Sequence, residues 1–394
     1  MAHILHKKVG GRKMNRDFHY NTVKVLAVHA GFSVGDAQCV AYYSQQVDDF
    51  IMHAPFIIDS APPSFFIENR LARKLRIRRN RWVILPCTTG INMMRTLSAG
   101  YRLHTLMPFH FIMPRPYYEL HKNAERSLFR CVSANHDAQL LINRRLETIL
   151  QHPKSEDTLI ALGLTLHTFA DTYAHEGFSG FQGWENSAYV HTGLRPTEAM
   201  FFHTLPSIGH ANAGSVPDHY TAKIEIHTKR TEKSPFEPLI QRDNAVFFAD
   251  CARRICDILC RYNEKSPLTD SEWGLLNEKI LAAHTGGNWE ETFPQITFDY
   301  DKSEFIRIRL ETLRHDAGLL AHLELHPDEL HDAYCENADR ARFAALTLAH
   351  HVNDNFFRYN EAAFKHVFAA TGEFTAHSHR TYLEQYSALA ETHA

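Results

Sequence analysis

Leu159-Ile-Ala-Leu-Gly-Leu-Thr-Leu-His-Thr-Phe-Ala-Asp-Thr-Tyr-Ala-His-Glu-Gly177 is the stretch on which the reading of this chain turns. It is apolar nearly all the way round, which predicts a buried helix, yet it carries His167, Asp171 and His175 at i, i+4 and i+8. Burying a carboxylate and two imidazoles without partners is expensive, and a metal is the simplest partner that satisfies all three. Residues four apart on a helix differ by about 40° in direction and about 6 Å in height, so neighbours can share an ion. The outer histidines lie about 12 Å apart along the axis, too far for one ion with Zn–N bonds of about 2.0–2.1 Å. The spacing therefore puts His167 on one ion, His175 on another and Asp171 between them. Two-metal hydrolytic sites hold their ions about 3.5–4 Å apart, which a bridging carboxylate suits, so a hydrolase of phosphate esters is the leading expectation. The plain alternative is three structural polar residues, each with its own buried partner.

Leu166-His-Thr-Phe-Ala-Asp-Thr-Tyr-Ala-His175 resembles the metal helix of the zinc-dependent phospholipase C and single-strand nuclease superfamily, especially its heterokaryon-incompatibility C branch. Asp17-Phe-His-Tyr, Tyr43-Ser-Gln-Gln-Val-Asp-Asp49 and Gly209-His-Ala-Asn-Ala-Gly-Ser-Val-Pro-Asp218 are similar to a bacterial family, the domain of unknown function numbered 6765, over most of residues 14 to 260. The superfamily resemblance implies a mainly α, multi-helix domain with long loops that holds two or three zinc ions. It implies that His167, Asp171 and His175 are the central ligands, that Asp48 or Asp49 is the early acidic ligand and that His210 is a later one. Secreted members of that superfamily use an N-terminal tryptophan and a downstream His-x3-Glu pair. Here no tryptophan stands near the start and Gly214 follows His210 at +4, which points to two ions rather than three.

The chain has 394 residues, 44% of them hydrophobic, enough for a large core. A net charge of −3 and a pI near 6.8 argue against a protein that coats nucleic acid generally. Of the 28 histidines, many, such as His3, His6, His377, His379 and His393, stand in polar or terminal stretches where solvation is their expected fate. The seven cysteines are scattered with no Cys-x-x-Cys pair, which predicts reduced thiols in a cytoplasmic protein. Cys256 and Cys260, at i and i+4, are expected to pack in a core. The start of the chain lacks the apolar run of a signal peptide, and no stretch of about 20 apolar residues predicts a transmembrane span.

Helix signals continue along the chain. Asn15 to Ala30 is expected to be helical up to Gly31, and Ser33 with Asp36 resembles a capping signal for a second helix ending near Phe50. Asp48 and Asp49 would then stand at a helix C-terminus, where the dipole disfavours negative charge and a metal would compensate it. His19 and Asp17 open the first helix, and His19 is a further candidate ligand. Asn69-Arg-Leu-Ala-Arg-Lys-Leu-Arg-Ile-Arg-Arg-Asn-Arg81 packs seven positive charges beside the apolar stretches Trp82–Pro86 and Met107–Pro114. Residues 69–114 are thus either a surface for anionic lipid or phosphate, with peripheral membrane contact, or a solvated basic face beside a β-like core insertion. Gly177–Asn186 reads as a glycine- and aromatic-rich loop that could wall a pocket, with Glu176 as a possible base and Trp184 beside it. In the 209–218 loop, the glycines and proline would bring His210 and Asp218 to one centre, with His191 and His203 nearby. From Asn244 onwards long helices are expected over Ala245–Tyr262, Ser271–His284, Lys302–Leu323 and Asn337–Ala370, the last with His350 and Asp354 one turn apart. No clear linker divides the chain, so one elaborated domain is expected, with the metal core over 14–260 and a C-terminal helical part over 261–394.

The function expected is a zinc-dependent hydrolase of a phosphodiester, phospholipase C-like, with two ions. His167, Asp171 and His175 would form its core, with His19, Asp48, Asp49, His210 and Asp218 completing the shell and Asp48, Asp49 and Glu176 as catalytic carboxylates. A phospholipid or a nucleotide would be the substrate. A nuclease or nucleotide phosphodiesterase fits the same ions, since the aromatic loop could stack a base. A helical metal-binding interaction protein without catalysis is the alternative from another class.

Overall fold

The computed structural model describes residues 16–371 apart from 53–55, 59, 70, 75–81, 85, 93–94, 98–100, 115–129, 135–138, 183–185, 187, 192–206, 229–236 and 313–346. Trp184, His203, Cys335 and the histidines at 3, 6, 377, 379 and 393 lie outside the described residues. What is described is mainly helical, and none of its helices is long and apolar enough to cross a membrane.

A π-helical segment, Asp17–Thr22, runs directly into α1 (Val23–His29), which stops before Gly31 at φ 84°. Helix α2 (Val34–Asp49) starts where expected, because the Ser33 side chain accepts the Asp36 backbone N–H at 3.1 Å. After α3 (Ser64–Glu68), a second π-helical segment, Arg102–His110, carries Pro108 inside it. Helix α4 (Leu140–Leu150) leads to α5 (Glu156–Ala174), the decisive stretch, which opens on a capping box between Ser155 and Thr158. From Leu159 to Ala174 only Ala161 is not fully buried, as a helix apolar on every face requires. Helices α6 (Asn244–Tyr262) and α7 (Asp270–His284) match their expected spans to within one residue, and α8 (Trp289–Thr292) and α9 (Asp354–Thr371) follow.

Strands form two sheets. In the first, β1 (Phe56–Ile58), β2 (Ala72–Lys74), β3 (Trp82–Ile84), β7 (Ile308–Thr312) and β8 (Thr347–Val352) lie in the order β2-β3-β1-β8-β7. The β1–β8 pair is parallel and the others are antiparallel. The second sheet is antiparallel, with β4 (Ala188–His191), β5 (Lys223–Thr228) and β6 (Glu237–Asp243) in sequence order.

Two expected helices are corrected here. Residues 308–312, read as part of a helix over Lys302–Leu323, are β7; Ile308, Leu310 and Thr312 alternate with Arg309 and Glu311, the period of a strand. Residues 347–352, read as part of Asn337–Ala370, are β8, and the helix begins only at Asp354. His350 and Asp354 therefore do not share a helix face. Residues 313–323 and 337–346 lie outside the described set. The basic stretch is in part the antiparallel pair β2–β3, a β-like insertion, with 75–81 undescribed.

One hydrophobic cluster joins α1 and α2 to α5, α6, α7 and α9, with Phe18, Tyr43, Phe169, Phe248, Ile280 and Phe356 all at or below 2% exposure. Helix α2 packs along α5 at Gly163, where a Cβ would fall inside contact distance of the Val40 carbonyl and 3.1 Å from Tyr43 Cβ. That close crossing fixes which face of α2 looks at His167 and Asp171.

Candidate metal centre

Helix α5 carries His167 and Asp171 fully inside the protein and ends at Ala174. His175 is thus the first residue past the helix rather than part of it; its N–H still bonds the Asp171 carbonyl at 2.8 Å, which keeps it in line with the other two. Gly177, at φ 86°, then turns the chain.

Asp171 is the hub. His19 Nε2, from the first π-helical segment, lies 3.2 Å from its Oδ1. His110 Nδ1 lies 2.9 Å, His167 Nε2 3.3 Å and His175 Nδ1 3.6 Å from its Oδ2. Asp48, at the end of α2, places Oδ1 3.7 Å from His167 Nε2. On the other side His175 Nε2 and His210 Nε2 face the two oxygens of Asp218 at 3.5 and 3.7 Å. Phe111 stacks on the His175 ring at 4.4 Å. Three groups of donor atoms result, each with all atoms within 4.8 Å of one another: His19, Asp48 and His167; His110, His167 and Asp171; His175, His210 and Asp218. These buried His and Asp clusters could hold metal ions.

The hydrogen bonds fix the tautomers. His110 Nε2 donates to the Thr89 carbonyl at 2.8 Å, His175 Nδ1 to the His110 carbonyl at 2.5 Å and His210 Nδ1 to the Gly214 carbonyl at 2.6 Å. A carbonyl can only accept, so in each neutral ring the opposite nitrogen carries a lone pair, and that lone pair faces a carboxylate. Something positive must stand between them, either a proton or a metal. A second nitrogen anchored on a backbone carbonyl is also how metal-bound histidines are held in orientation. The Nδ1 atoms of His19 and His167 are buried and have no hydrogen-bond partner among the described residues.

Without metal a proton takes that place at His175. Burial alone would lower the His175 pKa, but Asp171 and Asp218 outweigh it and lift it from 6.5 to about 9; His19 is raised too, through Asp171, against its own burial. Burial pushes His167 and His210 down. Burial would raise Asp171, yet His175 and His167 hold its carboxyl well below the usual range. A raised folded-state pKa gives stabilisation that is complete below the unfolded value of 6.5 and is lost as pH rises through about 9. Chelator-treated protein is therefore expected to lose urea-unfolding stability between pH 6.5 and 9, and metal-loaded protein to lose less. A flat profile for the stripped protein would show that protons do not bridge these pairs.

The other expected site residues are placed elsewhere. Asp49 accepts Tyr300 Oη at 2.8 Å and pairs with Lys302, so the dipole at the end of α2 is met by a lysine on this side and by the cluster on the Asp48 side. Glu176 accepts the Ser133 hydroxyl at 2.8 Å. Asp17 accepts Trp289 Nε1 at 3.1 Å and Asn21 at 3.0 Å. Cys256 and Cys260 are buried core residues. His191 is in β4.

Two residues of the centre were not singled out from the sequence. His110 stands in Met107-Pro-Phe-His-Phe, where no ligand type lies one turn away, so no spacing in the sequence marks it. Arg242, in β6, is buried and donates to the Tyr173 and Ala174 carbonyls at 2.5 and 2.8 Å. Burial pulls its pKa down to about 10 against the nearby Glu176 and Asp218.

The profile of a family of unknown function, DUF6765, matches residues 14–377. The chain belongs to this family. The match reaches well beyond residue 260, so α7, α8, α9, β7 and β8 are within the DUF6765 unit, as are all the residues of the centre. No curated protein and no solved structure matches the chain.

Proposed function

We propose that the chain is a metal-dependent phosphodiester hydrolase of the phospholipase C-like kind, with two zinc-class ions. The observation that carries this is the spacing of the donors. Two ligands bound to one tetrahedral ion at about 2.0–2.1 Å stand about 3.3–3.4 Å from each other. The separations of His19 and His167 from Asp171, of His167 from Asp48, and of His175 Nε2 and His210 Nε2 from Asp218 run from 3.2 to 3.7 Å, mostly too long for good hydrogen bonds and close to the edge of such a coordination shell. The set is imidazole and carboxylate with no thiolate, a donor chemistry that suits zinc and its neighbours.

His19, Asp48 and His167 would hold one ion and His175, His210 and Asp218 the other, with Asp171 between them and His110 beside it. When bound, such ions supply Lewis acidity toward phosphoryl oxygens and acidify a water for in-line attack. The chain's own groups do the rest. The side chains of His19, His110, His167, Asp171 and His175 are at most 6% exposed, whereas Asp48, Asp218 and His210 are 26%, 22% and 19% exposed. Among the described residues of the centre, Asp48, His210 and Asp218 are the ones open to a substrate, and the two carboxylates are the groups placed to take a proton there.

Elemental analysis of protein purified without chelator is expected to find about two zinc-class ions per chain. A chelator should abolish hydrolysis of bis-p-nitrophenyl phosphate and added Zn2+ should restore it. Phosphatidylcholine vesicles and single-stranded DNA then separate a lipid from a nucleic-acid substrate. Two bound ions with no turnover on any of these would sink the enzyme reading in favour of a metal-binding interaction protein.

A further inference from the structure

We infer that Arg242 is the positioning residue that holds the second subsite, His175, His210 and Asp218, in binding geometry; the inference rests on the two-ion reading above. The first subsite needs no such device, because Asp48 and His167 stand on helices α2 and α5, locked together at Gly163. The second is assembled from chain ends: His175 lies just past α5, and His210 and Asp218 flank or close short 3-10 turns, Ala211–Ala213 and Val216–Asp218.

Arg242 joins these pieces. Its Nη1 donates to the Tyr173 carbonyl at 2.5 Å and its Nη2 to the Ala174 carbonyl at 2.8 Å, the two residues before His175. The same Nη2 reaches the Pro217 carbonyl at 3.4 Å, one residue before Asp218. Its Nε donates to Asn244 Oδ1 at 2.8 Å, and the Asn244 amide in turn donates to the Pro217 and His219 carbonyls at 3.1 and 2.7 Å. The backbone on both sides of Asp218 is thereby tied to the end of the helix that presents His175.

The carbonyls at a helix C-terminus have no partner within the helix, and here that end is buried, so a planar fork of N–H donors takes the place of water. Four of the five guanidinium N–H groups are engaged in this way, so Arg242 is not a free cation for a substrate phosphate. Its effect on the centre passes through the backbone.

The test is Co2+ titration of chelator-stripped protein, followed by visible absorption and by the count of ions retained. Wild type is expected to take up two equivalents. Arg242→Met should keep the first at wild-type affinity and bind the second about 10- to 100-fold more weakly, the usual cost of losing a residue that orients ligands. Arg242→Lys, which keeps the charge but not the fork, should also weaken the second. Asn244→Leu is an independent variant with the same expectation. Two equivalents at wild-type affinity in Arg242→Met would overturn the inference while leaving the two-ion reading intact. Loss of both ions together with helical circular dichroism in all three variants would overturn it too, since the residue would then hold the fold rather than the subsite. No uptake by wild type would sink the two-ion reading itself.

Discussion

Asp171→Ala is expected to release both ions and to cut phosphodiester turnover by a factor on the order of 10²–10³ or more, the scale seen when one positioned electrostatic group is removed. Four imidazoles, those of His19, His110, His167 and His175, converge on its two oxygens, so no neighbour can substitute for it. The metal-free variant should also unfold more readily, by about 3–5 kcal/mol, because removing one partner of a buried ion pair leaves the others uncompensated. Asp171→Asn separates the two effects, since it keeps the shape and one acceptor but not the charge. Metal content and urea unfolding on both variants check this; an Asp171→Ala protein that retains two ions would refute the shared-carboxylate assignment.

Gly163→Ala should destabilise the protein by about 1–3 kcal/mol even though alanine favours a helix. An added Cβ would meet the Val40 carbonyl, the Tyr43 Cβ at 3.1 Å and the Ser44 nitrogen at 3.2 Å, all on α2, and backbone cannot step aside as a flexible side chain can. Because α2 carries Asp48 and α5 carries His167, wedging the helices apart should also weaken the first ion. Gly274→Ala on α7 is the control: nothing lies within 4 Å of its Cβ, so helix propensity alone should stabilise by about 0.5–1 kcal/mol. Denaturant midpoints of opposite sign at the two glycines are the expected outcome, and equal shifts would show that the α2–α5 contact is not tight.

Much of the centre was legible because helix geometry is local. The spacing of His167, Asp171 and His175, the Ser33 cap and the C-terminal place of Asp48 all follow from a repeat of 3.6 residues, and a chain that buries such a stripe has to satisfy it. The choice between Asp48 and Asp49 did not follow, since adjacent residues differ by about 100° around the axis and either could face α5. The packing at Gly163 sets that rotation; Asp48 turns to His167 and Asp49 to Tyr300 and Lys302. The strands at 308–312 and 347–352 were misread for a related reason. Five or six residues are too few for alternation to be told from a longer helical pattern, and β8 is a strand because it pairs with β7 and with β1, the latter nearly 300 residues earlier.

The sequence by itself determined a mainly helical protein with a buried helix bearing His167 and Asp171 at its centre, since turn chemistry, caps and side-chain spacing act within a few residues. Tertiary structure alone decided that His110 joins Asp171, that His175 stands beyond its helix and that Arg242 ties the far end together. Those contacts link residues some 60 to 70 apart through hydrogen bonds whose partners are backbone carbonyls and carboxylates in the folded core. A carbonyl is the same in every residue, so nothing in the sequence marks which one a buried histidine or arginine will find.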